Sequence, residues 1–402
     1  MPLDAPCRVL LTALLATTAL TADAGETRRV TIRGTARELG EAPMLIELNP
    51  PLPVGDYALE IEGGRTLPAC VLEDCGKSRL AFVLGGIKAG ETRRYSLSQP
   101  PGAAPKTTGV AFLPEGQGVR VEVDDQPLTT YRTDLGPKPI LFPLIGPTRA
   151  NLSRAFPMEQ VQGEDQDHPH QRSFWFTHGQ VNGVDFWSEM PGHGSIRETS
   201  RTTSACQLLG ILRTTDAWDD PTGKTLCEDE RVLRFQVLKA SCLIDFDVTI
   251  KATHGPVTFG DTKEGMFGVR VASVLDTNRK GGGTITNAEG LTNLDAWGKA
   301  SPWVDYAGKI DEKAVGIAIL NHPDSFRYPT TWHVRDYGLF AANPFGWHDF
   351  GRKESGEYVL PAGESITFFY RVILHAGETA SADVASAFEA YARPPKVEVQ
   401  GE

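Results

Sequence analysis

Apolar and polar residues alternate along most of this chain with a period of two. In "IDFDVTIKA", Ile244, Phe246, Val248, Ile250 and Ala252 fall on one face, and Asp245, Asp247, Thr249 and Lys251 on the other. That is the pattern of a half-buried antiparallel strand. "AVGIAIL" and "SITFFYRVILHAG" behave similarly, and Gly281, Gly282 and Gly283 mark a turn after "MFGVRVASVL". Earlier, "DYALEIEGG" and "TRRYSLSQP" alternate between Gly and Pro breaks. One helix is predicted near the end, where Val384, Phe388 and Tyr391 recur at helical spacing before Pro394 and Pro395. Long strands with a single helix predict an all-β protein whose main body is a sandwich of two large antiparallel sheets.

Breaks in composition divide the chain. "QPPGAAPKTTG", Gln99 to Gly109, is Pro-rich and poor in charge and reads as a linker. The predicted organisation is therefore a small N-terminal β-sandwich module over 25–105 and a large β-sandwich domain over 106–402. Residues 1–24 read as an export signal. Arg8 precedes the apolar run Val9 to Leu20, and Ala22, Asp23 and Ala24 offer small residues at cleavage spacing. That run is short for a bilayer span, which takes about 20 residues, and no later segment is apolar enough to try. The expectation is an exported protein, periplasmic or extracellular, beginning near Gly25.

The 402 residues carry a formal charge of -11 and no long basic run, so a phosphate-tracking nucleic-acid surface is excluded as a reading. Export permits disulfides. "CVLEDC" offers a small loop between Cys70 and Cys75, and Cys206 has Cys227 or Cys242 as candidate partners, with one thiol left over. No CxxC pair occurs, which disfavours a thiolate zinc site.

Every histidine lies at or after position 168, which places histidine chemistry in the large domain. "DQDHPHQRSFWFTHGQVNGVDFW", 165–187, concentrates His168, His170, Arg172 and His178 among aromatic rings. In an extended chain His168 and His170 share one side, as do Arg172, Phe174, Phe176 and His178. Pro169 makes the start an edge or a loop. Three uses fit: a divalent-metal site of His168 and His170 with His178 or a distant carboxylate, a histidine–arginine clamp on an anion or sugar, or a buried structural corner. A second concentration, Asn321 to Phe350, holds eight aromatic residues in thirty, together with His322, Arg327, His333, Arg335, Asp336 and His348. Rings beside Asp, Asn, Arg and His suit a carbohydrate, whose C–H face stacks while its hydroxyls hydrogen-bond. Trp332, Phe340 and Phe345 can equally roof the core. A third block, "FGDTKEGMFGVR", sets Asp261, Lys263 and Glu264 at a strand mouth, where a carboxylate against apolar walls can keep its proton and act as an acid. Glu289, Trp297, Lys299, Trp303 and Asp305 are candidates for lining the same mouth. No Walker phosphate loop and no GxSxG elbow occurs.

The expected function is a carbohydrate-active hydrolase, lyase or epimerase taking a small-molecule or oligosaccharide substrate. Its catalytic groups are expected to be His178, Glu264, His333 and Asp336, with histidine as acid or base and Glu264 as its counterpart. Substrate contacts are expected from His168, His170, Arg172, Trp175, Asn182, Asp185, Trp332, Arg335 and Asn343. The two arginines would hold oxygens, and Trp175 and Trp332 would stack on the ring. The alternatives are a metal-dependent enzyme built on the three histidines and a non-catalytic glycan-binding protein.

The blocks "DHPHQRSFWFTHGQVNGVDFW", "FGDTKEGMFGVRVA" and "HPDSFRYPTTWHVRDYGLFAANPFG" resemble the signatures of a family of exported bacterial proteins labelled "methane oxygenase, PmoA-like". The similarity runs from about Pro137 to Tyr391 and leaves the first module uncovered. It implies export and carries no established activity. That family in turn resembles the large β-sandwich proteins of the galactose-mutarotase type, which handle sugars with a His and a Glu; this is analogy at the level of the fold.

Overall fold

A computed structural model describes residues 27–61, 64–99, 109–279 and 282–401. The segment read as an export signal, nearly all of the linker and Gly281 lie outside the described residues. The chain forms two compact units. No helix among the described residues is long and apolar enough to cross a membrane.

The smaller unit comprises the N-terminal residues to Thr107 together with Ser204–Leu208 and the C-terminal segment from Arg393. Its seven strands join into one sheet, in the order Ala42–Glu47, Lys77–Leu84, Thr66–Asp74, Gly55–Glu60, Thr92–Ser98, Arg28–Arg33 and Lys396–Gly401. The last strand pairs antiparallel with Arg28–Arg33, so a segment that the sequence reading left with the large domain completes the small one. Alternation holds here: Val30, Ile32, Leu59, Leu80 and Leu97 are fully buried.

The disulfide is not the short loop expected from "CVLEDC". Cys70 bonds to Cys206, within the same unit, and Cys75 takes no part in a disulfide. Cys75 sits at a hairpin tip, where it and Gly76 both have positive φ, of 51° and 76°. Cys70 lies five residues back along an extended strand. At about 3.3 Å per residue that separation far exceeds the roughly 7 Å a disulfide can span. Cys227 and Cys242 are buried and free, so neither pairs with Cys206.

The larger unit is the expected two-sheet antiparallel sandwich. One eight-stranded sheet runs Thr331–Val334, Leu339–Asn343, Gly265–Arg270, Phe174–His178, Ile140–Leu141, Gln126–Arg132, Gly118–Val123 and Val110–Glu115. The other runs Ser195–Ala205, Gly210–Asp219, Thr225–Val237, Ser241–Lys251, Ser365–Ala376, Lys313–Asn321, Trp303–Ile310 and Thr284–Asn287. Between them Phe174, Phe176 and Phe267 meet Phe246 and Tyr370, with Phe267 stacked on Tyr370 at 4.2 Å. The predicted helix is present as Val384–Ala392. Its Val384 and Phe388 cover Leu243, Trp303, Leu320 and Ile373 on the outer face of the second sheet. The outer face of the first sheet has loops over it instead, and there the candidate chemistry collects.

Candidate functional site

Cross-strand register puts Trp175, Gly268, Ala341 and His333 in one row on that outer face. Trp175 lies flat across Gly268, where a Cβ would come within 2.8 Å of the indole, so the close approach needs glycine. Trp187 packs edge-on against Trp175 at 5.2 Å. Beside Trp187 opens a cavity of about 350 Å³, lined also by His168, His170, Asp185, Glu264 and Tyr337 among others.

His168 is exposed and held at φ 41°, in the left-handed region that non-glycine residues seldom occupy. Its carbonyl accepts a hydrogen bond from the Arg154 guanidinium at 2.9 Å. Its Nδ1 is 2.6 Å from Asp167 Oδ2, and its ring stacks parallel on Tyr337 at 4.9 Å. Desolvation works against the charge on Asp167. Arg270, the bond to His168 and Arg154 outweigh it and hold the carboxyl below its ordinary range. His170 is half-buried, edge-on to His168 at 5.7 Å. Desolvation first, then Lys138 and His168, push it down to about 4, so it is neutral at pH 7. Glu264 is half-buried, and burial raises its proton affinity against the opposing pull of Lys263, 3.7 Å away. Asp185 accepts the backbone N–H groups of Trp187 and Ser188 at 2.7 and 3.1 Å, which fixes the turn carrying Trp187.

The remaining expected residues are placed elsewhere, each for a physical reason. His178 ends its strand facing the inter-sheet core, fully buried against Phe259 and Phe345, with Nε2 donating to the Gly260 carbonyl at 2.8 Å. His333 is buried and its Nδ1 donates to the Lys263 carbonyl at 2.9 Å. Desolvation pushes both histidines down to about 4. Asp336 is absent from the cavity wall, and so is Arg335, whose guanidinium lies 5.5 Å from the Tyr337 ring centre. Trp175 and Trp332 are 1% and 0% exposed, too enclosed to stack on a ligand. The Trp332 indole donates to the Ser301 carbonyl at 2.8 Å. Arg172 grips Glu189 with bonds of 2.7 and 3.0 Å, and the buried Lys138 ammonium takes the same carboxylate at 2.5 Å. Asn182 accepts the Thr258 N–H, and Asn343 accepts those of Phe345 and Gly346. Both amides therefore shape turns. None of Glu289, Trp297, Lys299, Trp303 or Asp305 lines the cavity, and Asp305 is buried 3.0 Å from His375.

The three histidines proposed as metal ligands do not converge, because His178 faces the opposite side of the sheet from the cavity. Among the described residues no group of three or more His, Cys, Asp or Glu side chains is placed to hold a metal ion.

Sequence reasoning missed Asp167, Arg154, Arg270, Tyr337 and Trp187. A signal was available for two of them. Asp167 directly precedes His168, and Arg270 is a charge terminating the apolar run "GMFGV".

A family model described as "Family of unknown function (DUF6807)" matches residues 118–389, more than half of the chain. No curated protein matches it. Among solved structures, the chain is similar to a galactose mutarotase related enzyme from Lactobacillus acidophilus. Identity is 10%, the match covers 66% of this chain and 97% of that one, and the TM-score is 0.25.

Proposed function

We propose, because the chain belongs to the DUF6807 family and that family brings no known activity with it, a function read from the cavity itself. The protein is a carbohydrate-active enzyme, a hydrolase, lyase or epimerase working by proton transfer between His168 and Glu264. One observation carries this reading. An exposed histidine backed by a carboxylate and a half-buried glutamic acid of raised proton affinity line one cavity. His168 Nε2 takes a proton from a hydroxyl or carbon of the substrate, and the Glu264 carboxyl delivers one to the departing or ring oxygen. Neutral His170 and the Ser188 side chain are hydrogen-bonding partners for hydroxyls. The half-buried Tyr337 offers apolar surface to the C–H face. Export belongs to the same proposal and rests on the pattern of residues 1–24. So does kinship with the proteins labelled "methane oxygenase, PmoA-like", which rests on the three motif blocks.

The test offers the full chain a panel of free aldoses, glycosides and uronic-acid oligomers and follows product by NMR. Turnover by the wild type, abolished in both His168→Ala and Glu264→Gln, supports the assignment. Turnover that survives both replacements sinks it. Sugar binding without product, unaffected by either replacement, favours a non-catalytic glycan binder using Tyr337.

A further inference from the structure

Behind His168 stands a charge cluster that the acid–base reading does not by itself require. The side chains of Arg154 and Arg270 are fully buried, and each points a guanidinium nitrogen at the same oxygen, Asp167 Oδ1, at 2.5 and 2.8 Å. Oδ2 is thereby left to His168 Nδ1, at 2.6 Å. Arg154 also donates to the carbonyls of Asp167, His168 and Gln171 at 2.8, 2.9 and 3.2 Å, fastening the backbone of the loop. Arg270 donates to Gln171 Oε1 at 2.5 Å and lies 4.7 Å from the Tyr337 ring centre. That same ring stacks on His168 with an interplanar angle of 7°. Burying two guanidiniums costs several kcal/mol per ion unless they are well paired, so this is an expensive way merely to tie down a surface loop.

We infer that Arg154, Arg270 and Tyr337 are positioning residues that act through Asp167 to hold His168 as its Nδ1–H tautomer, leaving Nε2 to exchange protons in the cavity; the inference rests on the proposed role of His168. An ionised carboxylate only accepts, so the ring nitrogen facing it must donate. With Oδ1 held by two cations the carboxylate cannot rotate, and only Oδ2 reaches the imidazole. The stacked Tyr337 fixes the ring plane. Which nitrogen of a histidine is free is set by what the other one bonds, and here that bond is determined from three sides.

The experiment reads the tautomer directly. In the full chain with isotope-labelled histidine, two-bond proton–nitrogen correlations report which nitrogen of neutral His168 carries hydrogen. The signal is assigned by its loss in His168→Ala. Wild type is expected to be Nδ1–H. Asp167→Ala is expected to move the ratio at least tenfold toward Nε2–H, Tyr337→Leu to move it partway, and Tyr337→Phe to leave it unchanged. Nε2–H dominance in the wild type overturns the inference, as does an Asp167→Ala ratio equal to that of the wild type. Should Asp167→Ala fail to fold, with two buried guanidiniums stripped of their counter-ion, the wild-type tautomer decides alone. No substrate is needed. An Nδ1–H ring in a protein that turns over no sugar removes the proposed function and not the positioning. Sugar turnover with an Nε2–H ring does the reverse.

Discussion

Replacing His178 and His168 by alanine is expected to have opposite consequences, although the two residues lie in one short stretch of chain. His178 is fully buried, packed between Phe259 and Phe345, and its Nε2–H satisfies the Gly260 carbonyl at 2.8 Å. His178→Ala strands that buried carbonyl, at about 1–3 kcal/mol, and leaves a ring-sized void beside two phenylalanines that costs a further 1–2 kcal/mol or so. The total, about 2–5 kcal/mol, corresponds to a fall in Tm of roughly 3–8 °C for a domain this size. His168 is exposed, and Asp167 keeps both arginines without it, so His168→Ala stays within about 1 kcal/mol of wild type. The acid dependence gives a second readout. Burial holds His178 down at about 4 in the folded chain, against about 6.5 unfolded. The unfolded state therefore binds the extra proton in that window. The contribution is complete above about pH 6.5 and is lost as pH falls through 4, about 3 kcal/mol in all. Urea denaturation at pH 7.5 and pH 5 measures both effects. A His178→Ala protein as stable as wild type at both pH values would refute the structural assignment and return His178 to the list of catalytic candidates.

Three further outcomes follow from buried groups. Asp216, beside Asp229 and Arg231 in the large sandwich, is pushed up to about 7, chiefly by desolvation, against about 3.9 unfolded. The folded state thus holds the extra proton between these values, and stability present below pH 4 is lost as pH rises through 7. Asp216→Asn should raise the Tm at pH 8 and flatten the slope between pH 5 and 8; a lower Tm at pH 8 contradicts this. Gly268→Ala drives a methyl to within 2.8 Å of the Trp175 indole, overpacking the indole pair by about 1–3 kcal/mol in urea titration, and a neutral result would mean that pair is loosely seated. Non-reducing peptide mapping should recover Cys70 linked to Cys206 and an alkylated Cys75; a Cys70–Cys75 peptide would reject the observed pairing.

The fold was legible because period-two alternation survives wherever one sheet face is buried, and the end helix because Val384 and Phe388 must meet a sheet. The site was legible only in part, and the strand that starts at Phe174 explains why. In a chain extended from His168 onward, alternate residues would keep to one side. Left-handed conformations at His168 and Ser173 break that alternation, which detaches the two cavity histidines from His178. Asn182, Asp185 and Asn343 were read as contacts for hydroxyls. The short polar side chains that suit a sugar are also those that cap turns, and nothing local distinguishes the two uses. Arg172 looked free because Glu189, seventeen positions further on, becomes its partner only in three dimensions.

What the folded arrangement adds is a division of charge that no residue announces alone. Arg154 and Arg270 share one carboxylate, and Lys138 and Arg172 share another. Desolvation, then Lys138 and His168, keep His170 unprotonated, while burial on the other wall raises the proton affinity of Glu264. Both shifts favour the uncharged form of the group that carries them. Desolvation thus disfavours charge on one group of each wall. Under the proposed function His168, with Asp167 on its Nδ1, is the group that takes the proton.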